Sequence, residues 1–274
     1  MQVGFIGFGE VASTLSQGLM ENGVDVYTCI VGRGKRTNEL AKKTKVKLYN
    51  SYKELAECSD ILISSVIPSN AVNVAEMVGK YSNGIYVDMN NISPNTVRKT
   101  LAMIENGKTV DAAIIGSVLK NGINVKVIAS GAFADTFAKL GNYGMNITVV
   151  GPENGQASGI KLLRSNYTKG VSALLFESIY HAYKLGIDKE VLNYISETEG
   201  QNFIDSAVSR IISTAFNAER RSEEMVEVIE MLSLKQNPVM SKATLKFFNN
   251  LNKNIKLNKR PVNYGEIFKI ISED

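Results

Sequence analysis

The residues of this 274-residue chain whose types and spacing could do chemistry fall into three groups. The first is Val3-Gly4-Phe5-Ile6-Gly7-Phe8-Gly9-Glu10-Val11-Ala12, in which GxGxxA directly follows an apolar run and directly precedes an amphipathic one. Gly7 permits a tight turn, Gly9 lets the backbone approach a pyrophosphate, and Ala12 lets helix and strand pack closely. The helix start then offers oriented N–H groups to phosphate. Gly7, Phe8, Gly9, Glu10, Val11 and Ala12 are therefore candidate dinucleotide-binding positions, with an ordinary strand-to-helix turn as the plain alternative.

The second group lies where a second strand should end. Sites selective for NAD place Asp or Glu there to hold the ribose hydroxyls. Here the residues are Ile30-Val31-Gly32-Arg33-Gly34-Lys35-Arg36-Thr37. Arg33 can meet a 2′-phosphate with two donors in one plane, and Lys35 or Arg36 can pair with it more loosely. NADP is the expected cofactor, and a solvated basic loop is the alternative. The third group is Lys161, Arg164, Ser165 and Thr168, at i, i+3, i+4 and i+7 of a helical pattern, which puts them on one face. Apolar Ile160, Leu162 and Leu163 bound this stripe, as expected for a helix lining a cleft. A water-facing stripe is the alternative.

These residues need a frame. Short β-rich runs at Val3–Ile6, Val24–Val31, Ile61–Val66, Ile85–Val87, Val110–Ile115, Val125–Ala129 and Ile147–Val150 alternate with helical patterns such as Glu10–Glu21 and Ser69–Lys80. That rhythm predicts a Rossmann-type doubly wound α/β domain with a largely parallel sheet. Strand signals stop after the turn cluster at 151–155. Helices are predicted over Gln156–Leu185, Lys189–Glu199 with Asp188 as candidate N-cap, Phe203–Asn217, Glu219–Leu234 and Val239–Asn252. The expected domains are 1–151, binding NADP, and 152–274, all-α and serving substrate and dimerisation.

Composition narrows the partners. With 44% hydrophobic and 21% charged residues the chain is an ordinary globular one. Its net charge of +4 is spread along the chain, which argues against nucleic acid. Lys253, Lys256, Lys259 and Arg260 read as a solvated cluster. Cys29 and Cys58 lack metal-site spacing and are expected as buried, inert thiols, His181 as a structural residue, and no metal is expected. Neither a signal peptide nor a membrane-length apolar run is visible, so a cytoplasmic protein without membrane contact is expected.

The order of these motifs resembles the β-hydroxyacid dehydrogenases, which include 3-hydroxyisobutyrate and 6-phosphogluconate dehydrogenases. The likeness rests on the fingerprint, on Ser65-Val66-Ile67-Pro68, on Asp88-Met89-Asn90-Asn91-Ile92-Ser93-Pro94, on Asp111-Ala112-Ala113-Ile114-Ile115-Gly116-Ser117, and on Lys161. The stretch Arg164–Glu177 further resembles an uncharacterised archaeal branch with a 6-phosphogluconate-dehydrogenase-like C-terminal domain. The resemblance implies that Val66 and Pro68 lie near the cofactor, Asn90 and Asn91 beside its nicotinamide half, and that Lys161 is the acid/base group. A lysine in a desolvated cleft can have its pKa lowered toward neutrality and so exchange a proton with a hydroxyl or carbonyl. A homodimer built through the helical domain is implied as well.

Departures from the family pattern bear on the substrate. The Ser-Gly-Gly element that holds a carboxylate in the family is Ile115-Gly116-Ser117 here, Ser165 replaces an Asn, and Thr168 replaces the acid of the decarboxylating phosphogluconate enzymes. Gly116, Ser117, Ser165 and Thr168 remain substrate-binding candidates. Lys120 and Arg164 are candidates for a substrate anion, against a solvent-facing tip and a structural ion pair. The reading is reversible hydride transfer between NADP(H) and a small hydroxy acid or keto acid. A non-catalytic NADPH-binding sensor and an imine reductase are the rivals.

Overall fold

Strands, the central ones buried on both faces, are each followed by a helix and build one eight-stranded sheet in the order β3-β2-β1-β4-β5-β6-β7-β8. The strands are β1 (Gln2–Ile6), β2 (Asp25–Thr28), β3 (Lys47–Leu48), β4 (Ile61–Ser64), β5 (Ile85–Asp88), β6 (Thr109–Ile115), β7 (Lys126–Ser130) and β8 (Asn146–Gly151). Between them run α1 (Glu10–Glu21), α2 (Lys35–Thr44), α3 (Tyr52–Cys58), α4 (Ala71–Val78), α5 (Pro94–Leu101), α6 (Val118–Asn121) and α7 (Ala134–Ala138), and α8 (Gln156–Lys184) follows the last strand. This computed structural model describes residues 1–200, 202–234 and 236–273.

The sheet is parallel except at β6–β7, where Asp111 pairs with Ser130 and Ile115 with Lys126 in antiparallel register. Only residues 116–125 separate these strands, too few for the dozen or so residues of a crossover that would return the chain parallel. Successive residues of one strand feed opposite faces: Val3 and Phe5 pack into one core layer, Ile6 into the other. The strand order reverses between β1 and β4, and the carboxyl ends of β1, β2, β4, β5 and β6 share one edge.

Some expectations are corrected. The second strand stops at Thr28, because Val31 is exposed and Gly32 turns with φ +72°. The basic run after it is helix α2, which buries only Ala41. Cys29 is buried as expected, but Cys58 is exposed at the end of α3.

The chain divides into two compact units, Met1–Leu162 and Leu163–Asp274. The division falls inside α8, past the turn cluster at 151–155, because the first turns of the helix pack with the sheet. Ala157 is buried with Ala113 and Ile128, and Asp111 of β6 accepts hydrogen bonds from the Gly155 and Ser158 N–H groups, each at 2.9 Å.

The second unit holds the rest of α8 with α9 (Asp188–Glu199), α10 (Phe203–Phe216), α11 (Ala218–Ser233), α12 (Val239–Asn254) and α13 (Tyr264–Glu273), and its described residues are otherwise loops. Phe268 of α13 meets the rings of Phe176 and Tyr180, each at 5.3 Å. Asp188 is not an N-cap: Ile187 holds that position, and Asp188 Oδ2 accepts from the Tyr264 hydroxyl at 2.5 Å, tying α9 to α13. Lys253, Lys256, Lys259 and Arg260 are exposed, as expected. Among the described residues no helix is long and apolar enough to cross a membrane.

Candidate functional site

The glycine turn sits at the strand-order reversal. Gly7 has φ +82°, and a Cβ there would come within 2.3 Å of the Ser65 carbonyl oxygen, so the turn after β1 and the loop after β4 can touch only through glycine. Gly9 is the opposite case: a Cβ there would meet nothing within 4 Å. Gly9 is also the N-cap of α1 and supplies no side-chain cap. The N–H groups of Glu10, Val11 and Ala12 precede the first intrahelical bond, made by Ser13 N to Gly9 O, and so point outward as donors. Ala12 and Phe8 are buried in the sheet core. These residues fit a dinucleotide: the open space beside Gly9 and the uncapped donors are what a pyrophosphate needs.

Arg33 follows β2 and is half-buried, whereas Lys35 and Arg36 are exposed. The Arg33 Nε donates to the Tyr52 hydroxyl at 2.6 Å, and the guanidinium carbon lies 5.3 Å from the centre of the Tyr52 ring. Lys35 instead pairs with Glu39 at 3.8 Å on the surface of α2. Tyr52 was missed by the sequence reading. Its signal was Ser51-Tyr52-Lys53-Glu54, a helix-start pattern in which the Ser51 hydroxyl accepts from Glu54 N–H at 3.1 Å and fixes the first turn of α3.

Beyond β4 and β5, the Asn90 side chain turns inward. Its Oδ1 accepts from Val66 N–H at 2.7 Å, its Nδ2 donates to Ser64 Oγ at 3.1 Å, and its own N–H donates to Asp88 Oδ1 at 3.0 Å. Asn90 thus holds the Val66 loop beside Gly7, while Asn91 is half-buried and Pro68 is exposed at the start of a 3-10 turn. Burial pushes the Asp88 carboxyl up to about 7, with the nearby Asp111 charge adding to the shift against the bonds from Asn90. Asp111 has far more donors, from Gly155 N, Ser158 N, Ser158 Oγ and Ser130 Oγ. At the end of β6, Gly116 has φ +122°, and Ser117 and Lys120 are exposed around α6.

Lys161 is half-buried on α8. The turn of α8 just before it lies along the α5 start that follows the Asn90-Asn91 loop, since a Cβ at Gly159 would meet Pro94 Cγ at 3.6 Å. Further along the same helix Arg164 is exposed and Ser165 and Thr168 are half-buried. The Thr168 hydroxyl donates to the Ser165 carbonyl at 3.1 Å, so it serves its own helix. The Ser165 hydroxyl accepts from the Nζ of Lys169, a residue to which the sequence reading gave no role.

A strand-order reversal at β1 and β4, a glycine turn seated in it, and an all-helical unit that follows in the chain from within α8 define a nucleotide-binding fold of the 3-hydroxyacid dehydrogenase type. A family model described as NADP oxidoreductase, coenzyme F420-dependent, matches residues 2–92, and a domain of unknown function, DUF1932, matches residues 182–251. An uncharacterized 28.5 kDa protein of Methanothermus fervidus is 44% identical over 252 residues, 92% of this chain and 99% of that one. The chain belongs to the family of that archaeal protein, and its motifs and fold resemble those of the β-hydroxyacid dehydrogenases. A solved conserved protein of unknown function, described as structurally similar to 3-hydroxyacid dehydrogenases, is 47% identical with TM-score 0.86 over 92% of this chain and 97% of that one. The 3-hydroxyisobutyrate dehydrogenase of Mycobacterium tuberculosis shares the fold at 13% identity, with TM-score 0.78 over 99% of this chain and 98% of that one.

Proposed function

We propose that this protein is an NADP-dependent oxidoreductase that interconverts a small hydroxy acid and its keto form. The observation that carries the reading is the open, uncapped start of α1 at Gly9, placed at the strand-order reversal. Bound there, the nicotinamide cofactor supplies or accepts the hydride. Arg33, braced by Tyr52, is the group for the 2′-phosphate, with Lys35 and Arg36 as secondary cations. Val66, Pro68, Asn90 and Asn91 shape the loops toward the nicotinamide half. Lys161 takes the hydroxyl proton in oxidation and returns it to the carbonyl oxygen in reduction. Gly116, Ser117, Lys120, Arg164 and Ser165 are the substrate-side candidates, and Thr168 supports its own helix. The chain acts as a homodimer through its helical unit.

The test is NADPH consumption with a panel of small keto acids, aldehydes and imines. Keto-acid reduction is expected, and Lys161→Met should lower kcat about 10²–10⁴-fold, the usual worth of a positioned acid/base. Tight NADPH binding without turnover of any compound would make the protein a sensor. Turnover of imines alone would change the substrate class, and keto-acid turnover that survives Lys161→Met would overturn the acid/base role.

A further inference from the structure

Lys169 is a buried ammonium, 5% exposed, in the helical unit. Its Nζ lies 2.7 Å from Glu224 Oε2 on α11 and donates to Ser165 Oγ one turn back along α8. Glu224 is 30% exposed, and the pair is a weak source of stability, because burying the ammonium offsets most of its attraction to the carboxylate and an apolar pair of similar size would hold α8 to α11 as well. The bond to Ser165 is what an apolar pair could not supply.

That bond has a directional consequence. A lysine ammonium has three donors and no acceptor, whereas a hydroxyl has one proton and two lone pairs. Ser165 Oγ must accept from Lys169, so its single proton is given away from Lys169. The charge around the pair is also unequal. Glu224 faces Lys169 and Arg220, the latter at 3.8 Å. Arg221 nearby donates to Thr214 Oγ1 at 2.9 Å and Ser213 Oγ at 3.1 Å. Lys169 and Arg220 both pair with Glu224, and the Arg221 charge acts on both members of the Lys169–Glu224 pair. Burial lowers the Lys169 pKa and Glu224 opposes that shift, so the carboxylate helps keep the ammonium charged.

We infer that Lys169 is a positioning residue that fixes the Ser165 hydroxyl as a hydrogen-bond donor to an oxygen of an anionic substrate, with Glu224 as its anchor. The inference rests on the proposed hydroxy-acid reading and deepens it by selecting a substrate that presents an acceptor oxygen to α8.

The experiment uses the full chain with NADP+ and tartronate, a small hydroxy dicarboxylate, as the calorimetric probe. Ser165→Ala, Lys169→Met and the double variant are compared. The paired variant Lys169→Met/Glu224→Gln is run beside them so that an unpaired, half-buried carboxylate cannot mask the result. Each single change, and the paired variant, should weaken tartronate binding about tenfold, the worth of one hydrogen bond to a charged group. The double variant should be no weaker than Ser165→Ala. In the ligand-free protein the Lys169 ammonium protons should give a slowly exchanging ¹⁵Nζ signal whose exchange quickens in Ser165→Ala. Absence of that signal, an additive double variant, unchanged binding in the paired variant, or no tartronate binding by the starting protein would each overturn the inference. Non-additive binding without hydroxy-acid turnover would leave it standing and remove the catalytic reading instead. Turnover with additive losses would do the reverse.

Discussion

A single guanidinium illustrates how residue identity becomes specificity. Three cations follow β2, and the fold treats them differently: Lys35 is drawn to Glu39 on the surface, Arg36 is exposed, and Arg33 is half-buried with a hydrogen bond to Tyr52. Hydrogen-bonded to the Tyr52 hydroxyl, with its guanidinium carbon 5.3 Å from the ring centre, Arg33 loses less freedom on meeting a phosphate than a loose lysine would. Arg33→Ala should therefore weaken NADP binding about ten- to a hundredfold, the range for charge-assisted hydrogen bonds, and leave NAD nearly unchanged. Tyr52→Phe, which keeps the ring and removes the acceptor, should weaken NADP about threefold, in line with one modest hydrogen bond. Fluorescence titration with both cofactors reads the difference, and equal affinities in the starting protein would refute the 2′-phosphate assignment.

Among the elements, α8 is the one whose seating matters most, because its first turns belong to the sheet and it carries Lys161. Asp111 on β6 performs that seating. One of its oxygens accepts from the Gly155 and Ser158 N–H groups, each at 2.9 Å, and the other accepts from the Ser158 hydroxyl at 2.5 Å, so a carboxylate stands where the helix needs a cap and favours negative charge. Asp111→Asn would turn one oxygen into a donor facing donors. It should cost about 2–4 kcal/mol, on the scale of leaving buried polar groups unpaired, in urea unfolding. An unchanged midpoint would mean the cap is dispensable. The same residue marks the limit of what sequence can say. Gly7 to Ala12, the apolar strands and the helix from Gln156 were legible because glycine spacing and periodicity are local signals. Asp111 was visible only as part of a family motif, since its partners lie across the sheet and in the turn before α8. β3 was missed because an exposed two-residue edge strand has no core pattern. The roles of Tyr52 and Lys169 depend on contacts with Arg33 and Glu224 that no local pattern encodes.

At the scale of the whole molecule, α8 carries apolar residues on two opposite sides. With about 3.6 residues per turn, Ser165 and Lys169 fall on the side that also buries Leu162, Phe176 and Ile179. Leu163, Tyr167 and Leu174 fall on the opposite side, exposed by 52%, 71% and 65%. A surface helix normally hides its apolar stripe and shows its charges. Here a second apolar stripe faces out in addition to the buried one, which is the pattern expected when a second surface covers it. A second copy of the chain supplies a matching surface without any further partner, because a twofold axis brings the same stripe to itself. Sedimentation equilibrium should accordingly find a dimer, and the variant Tyr167→Glu/Leu174→Glu should sediment as a monomer, since two carboxylates per chain would be forced into an apolar contact. Its helical content by circular dichroism should be unchanged, because both side chains are exposed within each copy. A dimer that survives both substitutions would place the contact elsewhere, and a wild-type monomer at micromolar concentration would leave the stripe without the role argued for it.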